Sequence, residues 1–372
     1  MLYPKTDFVG LESAIHLAAG GETPMLVSHR DAMDEFMRDK AAGMPGRVRF
    51  FAKRRACAQQ VAQMLNVEAD DIAFVGSSSA GITSIVSSYA WREGDEVITV
   101  DDEYPTGRYV FGWLRRMGVV AVMPAYDPNP DMEANAIIAA ITPRTRLIYI
   151  SHVSTRTGRR IPLTGIVAAA HAVGAQVMVD ATHSLGIVQV DAADIDFLVC
   201  SGYKWLLGTH VGIVLWNRRL VPSFEPIVGW RSATPAPLPA DFLYHEDAAR
   251  IEVGNPNFLD LYLMHNALAY HQRVDSLVLE DYVLTHGGRL HTALAATGAA
   301  MLTPAAAAHR AGNICVASSN PAAVVTAARA AGIEIWGDAD LQRLRFSIHG
   351  YVTADDIDNA IVILPALLNM HG

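Results

Sequence analysis

The stretch QVMVDATHSLGIVQVDAADIDFLVCSGYKWLLGTHVGIVLW, Gln176 to Trp216, holds three apolar runs, QVMVD, DFLVC and VGIVLW, separated by small-residue and glycine-rich turns. None of the runs alternates apolar with polar residues, so the strands they predict must be covered on both faces. Upstream, EVITV (96–100), VVAVM (119–123) and RLIYI (146–150) have the same character, with the helix-like segments GITSIVSSYAWR and TGIVAAAHAVG between runs. Strand and helix in alternation predict a large α/β unit built on a mostly parallel sheet.

The chain around this block is that of an ordinary globular protein. It has 372 residues, 51% hydrophobic and 18% charged, enough to bury a sizeable core and to divide in two. A net charge of −9 gives no electrostatic reason to expect nucleic acid or an anionic membrane as partner. MLYPKTDFVGLESAI lacks the apolar segment of a secretory signal, and no uncharged run approaches a membrane span, so a cytoplasmic location is expected. Cys57, Cys200 and Cys315 are too scattered for a disulfide framework or a clustered metal site. The histidines show no HxxxH pairing, and His152 and His210 read as structural or surface residues rather than metal ligands.

Beyond Gly212, the proline-rich WRSATPAPLPADF (230–242) predicts an irregular loop. Residues 258–300 predict a long helical region, NICVAS and RLRFSI two strands, and ADDIDNAIVILPALLNM a terminal helix starting at Thr353 or the small residues after it.

In open α/β sheets ligands bind at the carboxyl ends of the strands. Asp180 ends one predicted strand there, which a helix N-cap would also explain. FVGSSSAGITSI (74–85) runs from strand through small residues into helix and offers free N–H groups and hydroxyls to an anion, with Ser78 and Ser79 the leading candidates. It has neither Walker nor GxGxxG spacing, and alone it reads equally as a plain capped helix. Lys204 is the one charged residue in CSGYKWLLGTHVG (200–212). An apolar setting favours the neutral, nucleophilic amine, although a lone lysine more often snorkels to water. Together the carboxylate, the lysine and the anion cradle are the parts pyridoxal 5'-phosphate requires: a partner for the pyridinium nitrogen, a Schiff-base lysine and a phosphate site.

The sequence also resembles the class V aminotransferases of fold type I, especially the branch with cysteine desulfurases and isopenicillin N epimerase-like enzymes. The resemblance runs through IHLAAGGETP (15–24), FVGSSSAGI, DDEYPTG (101–107), SHVSTRTGRRIPL (151–163), the block from Val179 to Trp216, IEVGNPN (251–257) and LRFSIHGYVT (344–353). It implies an α/β fold with a large seven-stranded, mostly parallel domain over 20–257 and a small domain from 1–19 and 258–372. It further implies that Lys204 carries the cofactor and shuttles the substrate proton, and that Asp180 keeps the pyridinium protonated. Tyr104 would stack on the ring, and Ser78, Ser79, Ser201 and Tyr203 would bind the phosphate. Thr155 and His183 would reach the phenolic oxygen, Asn255 would contact the phosphate of a partner subunit, and Arg345 would hold the substrate carboxylate. A homodimer with active sites at its interface, acting on an amino acid as its small-molecule substrate, follows from the same resemblance.

Several positions depart from the desulfurase pattern, which has His at 104 and 203, Gln at 183, Asn at 155 and Thr at 255. No cysteine occurs in IEIWGDADLQR (333–343), where a desulfurase carries its nucleophile. Transamination is therefore the expected reaction, with β-elimination at a C–S bond and epimerisation as alternatives, and a catalytically silent cofactor-binding regulator as an alternative of another class. Of the remaining charges, Arg47, Arg49, Lys53, Arg54 and Arg55 read as a solvated or subunit-contacting face. Arg156, Arg159 and Arg160 stand where a further substrate contact is plausible, and Arg231 where it could cover a site entrance.

Overall fold

The computed structural model describes residues 1–236 and 241–371. Seven strands form the main sheet: β1 (Ile72–Val75), β2 (Glu96–Ile98), β3 (Val120–Val122), β4 (Thr145–Ser151), β5 (Gln176–Asp180), β6 (Phe197–Ser201) and β7 (Gly212–Trp216). Their spatial order is β1-β7-β6-β5-β4-β2-β3. Only β7 runs against its neighbours, pairing antiparallel with β1 and β6, while the other pairings are parallel. This is the fold type I architecture, an α/β sheet wound with helices.

The unbroken apolar runs have a direct cause. Helices α1 (His29–Ala41), α2 (Met44–Leu65), α3 (Ser78–Ser87), α4 (Pro105–Leu114), α5 (Pro130–Ala139) and α6 (Thr164–Ala172) accompany the strands. Val177 and Val179 of β5, with Leu198 and Cys200 of β6, face a core containing Val61 of α2, Ile137 of α5 and Ile166 of α6. Met178, Phe197 and Val199 face the opposite core, with Ile82 and Ile85 of α3 and Phe111 of α4. Each such side chain contributes roughly 1.5–3 kcal/mol when fully buried, so a polar residue on either face would be selected against.

After the sheet come α7 (Phe258–His271) and α8 (Ser276–Ala295). The expected single helical region is thus interrupted, because the Asp275 side chain accepts from the Leu277 and Val278 amides and starts a new helix. A three-stranded antiparallel sheet follows, β8 (Asn313–Ala317), β9 (Trp336–Asp338) and β10 (Arg343–Ser347), ordered β8-β10-β9, with α9 (Pro321–Ala330) and α10 (Ala354–His371). Thr353 caps α10 reciprocally: its Oγ1 accepts from the Asp356 amide at 3.0 Å and its amide donates to Asp356 Oδ2 at 2.9 Å. Residues 15–16 pair with 333–334, and the Ser347 amide donates to Leu17 O, which ties the N-terminal segment to this sheet.

The proline-rich segment differs from expectation. Ala233–Pro235 and Phe242–Tyr244 pair as a short antiparallel ribbon, and residues 237–240 of the expected loop lie outside the described residues. A two-stranded ribbon is all edge, so a proline is tolerated at its end, opposite Phe242. Among the described residues no helix is long and apolar enough to cross a membrane.

Candidate active site

A cavity of about 210 Å³ opens where four strands of the main sheet end. Asp180 closes β5, Ser151 closes β4 and Ser201 closes β6, and α3 begins directly after β1. Backbone contact brings the α3 entrance against β7: a Cβ on Gly212 would lie 2.3 Å from the Ser77 carbonyl carbon, so only glycine permits this approach. Ser77 caps the helix by accepting from the Ala80 amide at 3.1 Å. The Ser78 and Ser201 hydroxyls are 2.8 Å apart, and Ser79 bonds Thr106 of α4 at 2.8 Å. Hydroxyls and helix N–H groups therefore converge at one end of the cavity, the donor set of an anion site.

Asp180 is held from two sides. Its Oδ1 accepts from the Thr182 amide at 2.8 Å and its Oδ2 from the Tyr149 hydroxyl at 3.1 Å. Thr182 in turn accepts from the Ser201 amide at 3.2 Å, which couples the ends of β5 and β6. Behind Asp180 lies a second carboxyl, Glu103, fully enclosed and accepting from the Ser151 amide and hydroxyl, both at 2.6 Å. Burial pushes Glu103 up to about 7, against the lowering effect of its Ser151 hydrogen bonds.

Lys204 lies in the turn after β6, 8% exposed. Thr23 fixes that turn by donating to the carbonyls of Tyr203 and Lys204 at 3.0 and 3.1 Å. Burial first, then the charge of Arg345, pulls the Lys204 amine down to about 8. The neutral fraction at pH 7 thereby rises from about one in three thousand to about one in ten. Its Nζ lies 3.2 Å from His183 Nε2 and 6.0 and 5.5 Å from the ring centres of Tyr104 and Tyr203.

The tautomer of His183 follows from its other partners. Its Nδ1 is 3.4 Å from Trp205 Nε1, a group that can only donate, and 3.1 Å from Asn313 Nδ2. The Asn313 orientation is set by its Oδ1, which accepts from Ser347 at 2.8 Å. Nδ1 is therefore an acceptor, and Nε2 carries the ring hydrogen and points it at Lys204, whose amine can accept it only in the neutral form. Burial, reinforced by the Lys204 charge, holds His183 well below the usual histidine range, so the ring stays neutral.

Of the residues named from sequence, Ser78, Ser79, Tyr104, Thr155, Asp180, His183, Ser201, Tyr203 and Lys204 line this one cavity. Arg345 is joined to it indirectly: its Nη1 donates to Thr155 Oγ1 at 2.8 Å and to Thr155 O at 3.3 Å. Asn255 is not in the cavity of its own chain; it accepts from Arg47 Nη2 at 3.0 Å and lines a separate cavity with Gly254 and Pro256.

Four lining residues were not singled out as site residues from sequence: Ser77, Ser151, Thr182 and His210. Ser151 and Thr182 sit at strand ends, the signal that exposed Asp180, and Ser77 stands at a helix N-cap. His210 stacks on Tyr203 with ring centres 4.3 Å apart and reaches the cavity from a position that reads as plain surface.

Four of the weighed arginines have structural partners instead. Arg54 is buried, donating to Glu252 and to Ile72 O, so it leaves the expected solvated face. Glu252 also accepts from the Phe74 amide at 3.1 Å, so Arg54 is one of several groups that hold this buried carboxylate. Arg159, expected near substrate, is fully buried between Asp102 at 2.8 Å and Glu133 at 2.6 Å. Arg160 pairs with Glu280, and Arg231 pairs with Glu252 over the Phe51 ring rather than covering an entrance. In each case burial of one carboxylate requires a cation, and the partner is distant in sequence.

The cysteines are all buried. Burial raises the Cys57, Cys200 and Cys315 thiols, the reverse of what a nucleophilic thiolate needs.

The sequence model of the family "Aminotransferase class-V" matches residues 31–360. A cysteine desulfurase of Klebsiella pneumoniae (strain 342) is 27% identical over 242 residues, covering 63% of this chain and 60% of that protein. The isopenicillin N epimerase of Streptomyces clavuligerus is 29% identical over 185 residues, 48% of this chain and 46% of its own. The match spans less than two thirds of the length of either relative. A solved structure of a C-DES variant with glycine covalently linked to its PLP cofactor superposes with a TM-score of 0.89 at 21% identity, covering 98% of this chain and 99% of that one.

Proposed function

The chain belongs to the class-V aminotransferase family, enzymes of pyridoxal 5'-phosphate, and from that premise we propose that it transaminates an α-amino acid at the cavity around Lys204. The donor set fits the cofactor: hydroxyls at a helix N-terminus for phosphate, a doubly held carboxylate for the ring nitrogen, and a buried amine between them. When bound, that group supplies an electron sink for the pair left at the substrate α-carbon.

The residues would divide the remaining work. Asp180, its position held by Thr182 and Tyr149, would keep a proton on the ring nitrogen by opposite charge. Tyr104 would cover one ring face. Arg345 would take the α-carboxylate in a bidentate fork, which turns the α-hydrogen toward Lys204. Lys204 Nζ would accept that hydrogen and return it at the cofactor's aldehyde carbon, across the nitrogen, so that the amino group would stay with the cofactor, the donor would leave as a 2-oxo acid and a second oxo acid would later take up the amino group. Asn255 of a second copy, delivered at a dimer interface, would complete the phosphate contacts.

The single observation that favours transamination is that Lys204 is the buried cavity base whose amine lies near neutrality, while His183 is held neutral and committed to donate through Nε2. One base on one face suffices for a 1,3-shift of the hydrogen from the α-carbon to the cofactor's aldehyde carbon, whereas epimerisation needs a second. C–S elimination uses the same lysine; the desulfurase relatives favour it, and the buried cysteines count against its thiolate-dependent form.

The test is a panel of L-amino acids mixed with holoenzyme while 2-oxo acid, pyridoxamine phosphate, ammonia and sulfide are assayed. Oxo acid with stoichiometric pyridoxamine phosphate supports the proposal. Ammonia or sulfide release with the cofactor unchanged overturns it.

A further inference from the structure

Beside the Arg345 side chain stands a second guanidinium that the reaction as described does not use. Arg343 and Arg345 are two residues apart on β10, so they share a face of the strand. Both lean on the same indole, with their guanidinium carbons 5.3 and 4.5 Å from the centre of the Trp336 ring. Both are nearly sealed, at 5% and 4% exposed, and the Nε of each is buried without a hydrogen-bond partner.

Compensation for Arg343 is thin. Asp338 lies across the ladder from it, and their closest atoms are 3.8 Å apart, beyond hydrogen-bond range. Asp102, the other carboxylate that feels its charge, is already taken by Arg159 and by the Ser154 hydroxyl, both at 2.8 Å. A third cation adds to the excess: Arg156, next to Thr155, is close enough for its charge to act on Arg343, and it forms no ion pair among the described residues. Arg54, Arg159 and Arg160, by contrast, each meet a carboxylate at 2.8 Å or less.

A desolvated guanidinium without a bonded anion is costly to keep, and this pair adjoins the cavity through the bond from Arg345 to Thr155, which lines it. One α-carboxylate on Arg345 would leave Arg343 still uncompensated. Neighbouring same-face positions on a strand are roughly 6–7 Å apart, a spacing that suits two anions joined by a short chain. We propose that the substrate is a dicarboxylic α-amino acid, its α-carboxylate held by Arg345 and its side-chain carboxylate by Arg343 with help from Arg156. This rests on the reading of the Lys204 cavity as an amino-acid site and names the substrate class for it.

The experiment is calorimetric titration of holoenzyme with unreactive acids of matched length, glutarate against pentanoate and succinate against butyrate. The diacid should bind about tenfold or more tightly than its monoacid partner. Arg343→Gln should bring the two within about threefold by weakening the diacid alone, and Arg345→Gln should weaken both. Circular dichroism checks the fold of Arg343→Gln; should that variant fail to fold, Arg156→Ala, outside the sheet, should still narrow the diacid preference severalfold. Equal affinity for diacid and monoacid in the unaltered enzyme overturns the proposal, as does a preference that survives the substitutions. The acids are not turned over, so the outcome is read independently of whether transamination, elimination or neither occurs.

Discussion

The two ends of the site, the cavity at the main sheet and the arginines of the C-terminal sheet that reach it through Thr155, are built on opposite plans. At the end formed by the main sheet, each polar group has its partner in place: Asp180 is held by Thr182 and Tyr149, Ser78 by Ser201, Ser79 by Thr106. At the end formed by the C-terminal sheet, Arg343 meets its nearest carboxylate, Asp338, only at 3.8 Å, and both Arg343 and Arg345 keep a buried, unpartnered Nε. A site finished before its ligand arrives binds one fixed group, which is how a resident cofactor is held. A site left with uncompensated charge is stabilised only when an anion enters, which is how a transient substrate is selected. His183 stands at the join, since its Nδ1 is held by Asn313 of the C-terminal sheet and its Nε2 faces Lys204 of the main sheet.

Removing Lys204, the main-sheet group that His183 faces from the join, should give the largest effect. Lys204→Ala should lower turnover by about 10³-fold or more, since it deletes the proton carrier. If the main-sheet end is as self-sufficient as its hydrogen bonds indicate, the variant should still retain pyridoxal phosphate without covalent attachment. Borohydride would then fix cofactor to a Lys204 peptide in the parent and to no peptide in the variant, although both proteins are yellow. A colourless variant would break the comparison, because the cofactor end would then depend on the lysine.

Much of the main-sheet end was legible in the sequence because its determinants are local. Asp180 follows directly from an apolar run, Lys204 stands alone in an uncharged turn, and Ser78 and Ser79 lie where strand meets helix. The C-terminal end was not legible in the same way. Arg345 was reached through a resemblance, and nothing local separates it from Arg343. The fates of Arg54, Arg159 and Arg231 illustrate the reason: their partners lie 198, 26 and 21 residues away in the chain. Charge patterning along a sequence cannot reveal which carboxylate folding will bring to a given arginine. The ribbon inside the proline-rich segment escaped for a related reason, since its strands of three residues are too short to carry a period.

Asp180→Asn should have the next largest effect. The amide oxygen can still accept one of the two hydrogen bonds, so geometry changes little while the negative charge is lost. Turnover is expected to fall by about 10²-fold or more, with substrate acid binding at the arginine end unaltered within about threefold. Calorimetry with the same monoacid, run beside the rate measurement, separates the two ends. A parallel collapse in acid affinity would mean that the ends are not independent.

The smallest effect concerns stability and lies behind Asp180. Glu103 has its carboxyl raised from an ordinary 4.5 to about 7, principally by burial, so the fold favours the protonated form. The folded state then binds more protons than the unfolded chain across that interval, and stability must fall as pH rises from about 4.5 to about 7. Glu103→Gln removes the titration and keeps an acceptor for the Ser151 amide, at the cost of obliging the Ser151 hydroxyl to turn and accept and of losing the long 3.3 Å bond from the Tyr104 amide. At pH 8 the variant should be more stable than the parent by about 1–3 kcal/mol, and at pH 5 the advantage should shrink or reverse. Thermal melts at the two pH values decide it. An advantage equal at both would show that Glu103 does not titrate in this range, and a loss at both would show that its two hydrogen bonds outweigh its charge. Either result would place Glu103 among the finished contacts of the cofactor end. The expected one makes it a carboxyl at that end whose charge the surrounding fold opposes, with the Asp180 charge beside it as one of the causes.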